Sequence, residues 1–232
     1  MVSDLARGKG ATGPAALLWD NDGVLVDTEA LYFETTGAVL EAVGITLTCA
    51  DFVEISLRRG ASCFELATRA GVSSGRVAAM RVERDELYLE RVSAGVPLID
   101  GVHETVAAVH GRFPMAIVTS SKRRHFDAIH ASSGLLEFFE FALTAEDYER
   151  FKPHPEPYLA AAERLGLSPG NCLVIEDTER GLHAAVAAGM RCLALPNALS
   201  ADGDFSSAWK CLDTIRELPS ALEQWTENAT TA

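Results

Sequence analysis

Basic residues are in short supply in this chain of 232 residues: 20 Lys and Arg stand against 33 Asp and Glu, a formal net charge of −13 at pH 7. Neither a nucleic-acid backbone nor an anionic membrane surface would be drawn to it, so both are excluded as expected partners. A small phosphorylated ligand is not excluded, because it responds to local charge. Cysteine is sparse and odd in number: Cys49, Cys63, Cys172, Cys192 and Cys211 are widely spaced with no Cys-x-x-Cys pair. That pattern reads as reduced thiols in a cytoplasmic chain, with no disulfide framework and no zinc site. No apolar run approaches the roughly 18–20 residues of a membrane helix. The opening "MVSDLARGKGATGPA" lacks the hydrophobic stretch of a secretory signal and predicts a mobile leader over residues 1–15. Internal repeats are missing as well, and a monomer is the default expectation.

What is present is a series of short apolar runs with helical stretches between them. "AALLWD" (15–20), "PMAIVTS" (114–120), "EFALT" (140–144), "CLVIED" (172–177) and "RCLALP" (191–196) have strand length and strand flanks. Their near-continuous hydrophobicity points to strands buried on both faces of a parallel sheet. Helices are predicted over 101–112, 122–133, 155–166 and 179–189, with a Pro-Gly turn before "NCLVIED" and Gly189 as a helix stop. Strand and helix alternating in this way define an α/β fold, a doubly wound parallel sheet with a Rossmann-like core.

Between about Glu29 and Leu98 the alternation stops. "ALYFETTGAVLEAVG", "CFELATRAG" and "SGRVAAMRVERDELYLERVSAG" all read as amphipathic helices, which predicts an inserted all-helical cap over 29–98. The core then comprises 16–28 and 99–220, with hinges near Asp27–Leu31 and Val96–Asp100, where Gly95, Pro97 and Gly101 break the pattern. Residues 221–232, ending in "TENATTA", read as a polar tail.

Ligands of open α/β sheets bind beyond the carboxyl ends of the strands. The first strand ends in Asp20-Asn21-Asp22-Gly23, the second in Thr119-Ser120, and the fourth in Glu176-Asp177, with Lys152 in "ERFKPHPEP" between them. Each has a plain alternative taken alone. Asp20 could be a turn former, Thr119 and Ser120 a helix cap, Lys152 a solvated side chain, and Glu176-Asp177 the acids favoured at a helix start. Four such features converging on one rim in this order are harder to explain that way.

"WDNDGVLVDTE", "IVTSS", "KPHPEP" and "VIEDTERGLHAAVAAGM" resemble the four motifs of the haloacid dehalogenase-like hydrolases, in order and across roughly 17–195. The subgroup most similar is that of beta-phosphoglucomutases and small phosphosugar phosphatases, which also carry a small helical cap after the first motif. The resemblance implies an Mg²⁺-dependent phosphatase acting on a small phosphorylated metabolite. Asp20 would be the nucleophile that forms an aspartyl-phosphate, and Asp22 the general acid and base. Thr119 and the Ser120 amide would hold phosphoryl oxygens, and Lys152 would pair with nucleophile and phosphate. The metal would take Asp20, the Asp22 carbonyl and Asp177, with Glu176 in its outer shell. Residue types agree with the chemistry, since phosphoryl transfer needs a nucleophile, charge neutralisation and a proton donor, and magnesium is a hard cation that takes oxygen ligands.

Within the family, dehalogenases lack the second acid, so Asp22 favours phosphate chemistry. The mutases tend to carry a hinge histidine and a cap stretch of a basic residue, Gly-x-Ser-Arg. Here Tyr32 takes the hinge place and "RRGASCFE" ends with Cys63 where the arginine would be, which favours a hydrolase over the alternative, a sugar phosphomutase. Arg59, directly before Gly60, matches the cap-loop position expected to touch substrate. Arg58 could be either a contact or a solvated corner. Asp27 reads as a structural or hinge residue. Lys122, Arg123 and Arg124 open a helix against its dipole and so serve something else, such as the mouth of the site. The six histidines show no ligand spacing, and His154 reads as loop filler. A catalytically dead binding protein on the same fold is the distant alternative.

Overall fold

The computed structural model describes residues 13–228, with side chains to Trp225. Most of the expected leader and the last four residues of the expected tail lie outside the described residues. Six strands form one sheet: β1 Ala16–Trp19, β2 Met115–Val118, β3 Phe141–Leu143, β4 Cys172–Glu176, β5 Arg191–Ala194 and β6 Lys210–Cys211. Their order is β3-β2-β1-β4-β5-β6 and every pairing is parallel. β1 is central, with Leu17 opposite Met115 on one side and Leu173 on the other. The sixth strand has only two residues, too few to leave a periodic signal.

Alternate side chains of each strand enter different cores, which is why the runs are apolar throughout. Leu17, Trp19, Ile117, Leu173 and Ile175 pack on one face with α5 (Val102–Val109), α6 (Arg123–His130) and α9 (Leu218–Asn228). Ala16, Leu18, Val118, Cys172 and Val174 pack on the other with α7 (Glu156–Leu165) and α8 (Glu179–Ala187). The tail reading needs correcting at its start. Ala221, Leu222 and Trp225 form the buried face of α9, and Trp225 packs against Trp209 with ring centroids 5.2 Å apart. Three apolar residues spaced at one and three positions are a weak sign by themselves, and the sheet face supplies the partner.

Between β1 and β2 run α1 (Glu29–Glu41), α2 (Cys49–Phe52), a wide-turn π segment at Val53–Arg58, α3 (Glu65–Arg69) and α4 (Ser74–Ser93). A capping box at Thr48 and Asp51 starts α2, which lay outside the expected helices. These helices enclose a core of their own around Leu40, Phe52, Phe64 and Met80. The two chain crossings pair with each other: the Asp27 amide donates to Pro97, the Ile99 amide to Leu25, and Val26 bridges Leu98. No helix of the described residues is long and apolar enough to cross a membrane.

Candidate active site

The site forms at the carboxyl ends of β1, β2 and β4. After β1 the backbone turns sharply. The Asn21 carbonyl accepts from the amides of Val24, Leu25 and Val26, and Gly23 adopts φ +83. A Cβ at Gly23 would run into the Asp177 carboxylate, so only glycine lets the turn approach β4 this closely. The Asn21 side chain is buried, its Oδ1 2.7 Å from His130 Nε2, while His130 Nδ1 lies 2.9 Å from Ser133 Oγ. Burial lowers the His130 pKa to about 4, so the ring is a neutral prop for the turn.

Lys152 is buried and donates three times: to Asp20 Oδ1 at 2.8 Å, Glu176 Oε1 at 2.8 Å and the Val118 carbonyl at 2.9 Å. Burial acts to lower its pKa, but the two carboxylates more than offset this and hold it above the ordinary lysine value. Glu176 is also saturated. The Tyr158 hydroxyl donates to Oε1, and the Asp177 and Thr178 amides and the Thr178 hydroxyl donate to Oε2. Gly181 leaves the room this carboxylate needs. Burial raises Glu176, but Lys152 and these donors bring it below the ordinary glutamate value.

Asp20 and Asp177 are less well compensated. Burial and the charge of Glu176 raise Asp20 to about 7 against the pull of Lys152. Burial, then Glu29, Glu176 and Asp20, push Asp177 well above the usual carboxylate range. Asn197 donates to Asp177 Oδ2 at 2.9 Å and also to Glu29 Oε2, but Asp177 Oδ1 is buried with no hydrogen-bond partner. Asp20, Glu176 and Asp177 bring one oxygen each within 4.8 Å of one another. An orphaned carboxyl oxygen beside a second under-compensated acid fits a hard divalent cation, which would favour the ionised form of both. Since both Glu176 oxygens are engaged, Asp20 and Asp177 are the side chains free to hold it directly.

Asp22 is held by three hydroxyls: Thr28 on Oδ1 at 2.6 Å, and Thr119 and Ser121 on Oδ2 at 2.9 Å each. Asp20, Asp22 and Ser120 line a cavity of about 410 Å³ that continues under the helical insertion to Tyr32, Phe52, Arg84 and Tyr88. Thr119 and Lys152 stand behind this wall. Tyr32 packs edge-on to Tyr88 at 5.3 Å beneath the Arg84 guanidinium at 4.3 Å.

Arg59 is not brought to the cavity. Its guanidinium is taken by Glu65 at 2.5 Å and Glu54 at 3.5 Å, two acids of its own helical block. Arg58 instead straps the block to the core, through the Asp202 carbonyl at 2.7 Å and towards Glu179 at 3.9 Å. Cys63 turns into the block's apolar core, where burial raises its thiol to about 11. The basic triplet is divided: Lys122 pairs with Asp85 at 2.6 Å, Arg124 with Glu86 at 2.5 Å, and Arg123 with Asp147 at 3.0 Å. The first two tie α6 to α4, and Lys122 also lines the cavity. Asp27 is exposed and contributes its backbone to the crossing.

Several residues of the site carried no separate mark in the sequence. Thr28 and Ser121 lie inside the first and second motifs, and a search there for hydroxyl donors to the paired aspartates would have found them. Asn197, Tyr158 and His130 arrive from outside the motifs and could be found only in three dimensions, and the part played by Glu29, the last residue of the first motif, shows only through its bond to Asn197.

These features are those of a haloacid dehalogenase-like hydrolase, and that family model matches residues 17–195. The chain belongs to this family. It is 31% identical over 180 residues to the fructose-1-phosphate phosphatase YqaB of Escherichia coli, covering 76% of this chain and 93% of the relative. It is 30% identical over 221 residues to the protein CbbY of Rhodobacter capsulatus, covering 90% and 97%. In shape it is similar to CbbY from Rhodobacter sphaeroides in complex with xylulose-(1,5)bisphosphate, with a TM-score of 0.78 at 22% identity over 90% of this chain and 99% of that one. The beta-phosphoglucomutase of Clostridium difficile gives a TM-score of 0.79 at 21% identity, over 94% and 100%.

Proposed function

We propose that this protein is an Mg²⁺-dependent phosphatase that hydrolyses a small phosphorylated metabolite, a sugar or polyol phosphate, through phosphorylated Asp20. The observation that carries the reading is the pairing of Asp20, ion-paired to a buried lysine, with Asp22, held by three hydroxyls at the same cavity floor. The similarity to a fructose-1-phosphate phosphatase supports the substrate class.

In this reading Asp20 attacks phosphorus in line with the leaving alkoxide. Lys152 favours the ionised form of Asp20 against the burial that raises it, and offsets its charge towards the incoming phosphate. Asp22 donates a proton to the leaving oxygen, then takes one from the water that cleaves phospho-Asp20. The hydroxyls of Thr28, Thr119 and Ser121 can rotate from donor to acceptor as Asp22 gains or loses that proton. The Ser120 amide receives a phosphoryl oxygen; the Thr119 hydroxyl, which donates to Asp22 and accepts from the Ser121 amide behind the cavity wall, would reach one only by turning away from Asp22. Asp20, Asp177 and the Asp22 carbonyl would hold Mg²⁺, with Glu176 outside them positioning Lys152. Bound there, the ion offsets the charge of the carboxylates and of the phosphoryl group in transfer.

A phosphomutase would have to grip a second phosphate from the cap, and neither Tyr32, packed under Arg84, nor buried Cys63 supplies that grip. With beta-glucose 1-phosphate and a bisphosphate primer, release of inorganic phosphate and glucose is expected. Efficient formation of glucose 6-phosphate would establish the mutase instead, and no turnover of any phosphate ester would leave a binding protein.

A further inference from the structure

Four lysine and arginine side chains line the cavity: Arg81, Arg84, Lys122 and Arg180. Two are already committed, because Arg84 Nε and Lys122 Nζ each take one oxygen of Asp85, at 3.0 and 2.6 Å. Arg81 is exposed at the rim on α4. Arg180 is different. It is half-buried at the second position of α8, and its Nε is buried with no hydrogen-bond partner.

No carboxylate of the described residues forms an ion pair with Arg180, although Glu29, Glu176 and Asp177 all feel its charge. A cation in the first turn opposes the helix dipole, and a buried guanidinium donor left unmet is unfavourable. Folding alone gains nothing from either. Gly60, at φ +64, brings the loop over Arg180: a Cβ there would stand in ordinary contact with Arg180 Cδ at 3.6 Å but only 2.8 Å from the Lys152 carbonyl, so the closeness that requires glycine is to Lys152.

We infer that Arg180 is a specificity-determining residue whose guanidinium receives a second oxyanion of the substrate, distinct from the phosphoryl group that is transferred. A planar fork of donors matches phosphate or carboxylate oxygens. Its place three residues after Asp177 puts it at the same strand end as the reacting acids. The inference rests on the phosphatase reading and narrows its substrates to phosphate monoesters carrying another anionic group.

The test is a ratio. With Mg²⁺ present, kcat/KM is measured for fructose 1,6-bisphosphate against fructose 1-phosphate, and for 3-phosphoglycerate against glycerol 3-phosphate. The two pairs separate a phosphate from a carboxylate as the second anion. In Arg180→Leu the preference for the doubly anionic member of at least one pair should fall by about tenfold, mainly through KM, the effect of one charge-assisted contact. Arg180→Lys should keep part of it. An arginine that only offsets the acids near Asp177 would change both members alike, and unchanged ratios in both pairs would overturn the inference. Should Arg180→Leu not fold, as seen by thermal melting, Arg180→Gln and Arg180→Lys carry the same comparison.

Calorimetry on Asp20→Asn, with and without Arg180→Leu, separates the two readings. Arg180-dependent binding of a doubly anionic member without turnover by the wild type sinks the phosphatase and leaves the subsite standing. Turnover without an Arg180-dependent ratio does the reverse.

Discussion

Lys152 Nζ lies 2.8 Å from Asp20 Oδ1, and the same ammonium reaches Glu176 Oε1 at the same distance. One buried cation therefore serves two buried carboxylates, and Glu176 in turn fixes where the lysine points. Removing the lysine strands both anions. Lys152→Ala is expected to cost about 3–5 kcal/mol of stability near neutral pH. Without their cation, Asp20 and Glu176 would hold protons to higher pH, so the loss should shrink on acidification, when both can be neutral. Urea unfolding at pH 5 and pH 8 checks this, and equal losses at the two would oppose it.

Asp20→Asn should remain folded and lose phosphate release by about a thousandfold or more. Asp22→Asn should show a split instead. For an alkyl phosphate the loss should be about 10²–10⁴-fold, the usual contribution of a general acid, and for p-nitrophenyl phosphate, whose leaving group needs little protonation, much less. Equal losses for the two esters would remove Asp22 from the acid role.

The orphaned Asp177 oxygen predicts a metal dependence with a structural readout. EDTA should abolish turnover, Mg²⁺ should restore it, and Ca²⁺, with its looser and larger coordination, should substitute poorly. At 100 times its dissociation constant Mg²⁺ should add about 2.7 kcal/mol to stability. Thermal melts with and without the ion measure that shift. Asp177→Asn should lose most of it, and a shift of full size in that variant would place the ion elsewhere.

His130 predicts a pH effect on folding. Its folded pKa is about 4 against an ordinary 6.5. Above pH 6.5 the ring is neutral in both states and its contribution is complete. As pH falls from 6.5 to 4 the unfolded chain takes up a proton that the folded protein refuses, so stability declines by about 3 kcal/mol from this group. His130→Gln keeps a donor for Asn21 and abolishes the titration. Its unfolding midpoint should fall less steeply over that window, and an identical slope would show that other groups cause the decline.

Much of this molecule was legible in its sequence because the signals are local. Burial on both faces makes each long strand a continuous apolar run, and a parallel sheet places their carboxyl ends on one rim. "WDNDG", "TSS", "FKP" and "IED" could therefore be assembled on that rim before any coordinate was known. Tertiary structure alone decided which opposite charges meet. Along the chain Arg59 reads as a substrate contact, Arg58 as a contact or a solvated corner, and Lys122 and Arg124 as part of the mouth of the site, and in the fold each is paired with an acid. Arg180, hidden inside the last motif, is left without an ion-pair partner among the described residues. The same holds for Asn197 on Asp177, His130 on Asn21 and Trp225 on the sheet, where the partners are 20, 109 and many residues away. Periodicity reports which face of a segment is buried. It carries no record of what lies on the other side of that face, and side-chain pairing across elements is settled only when the faces close.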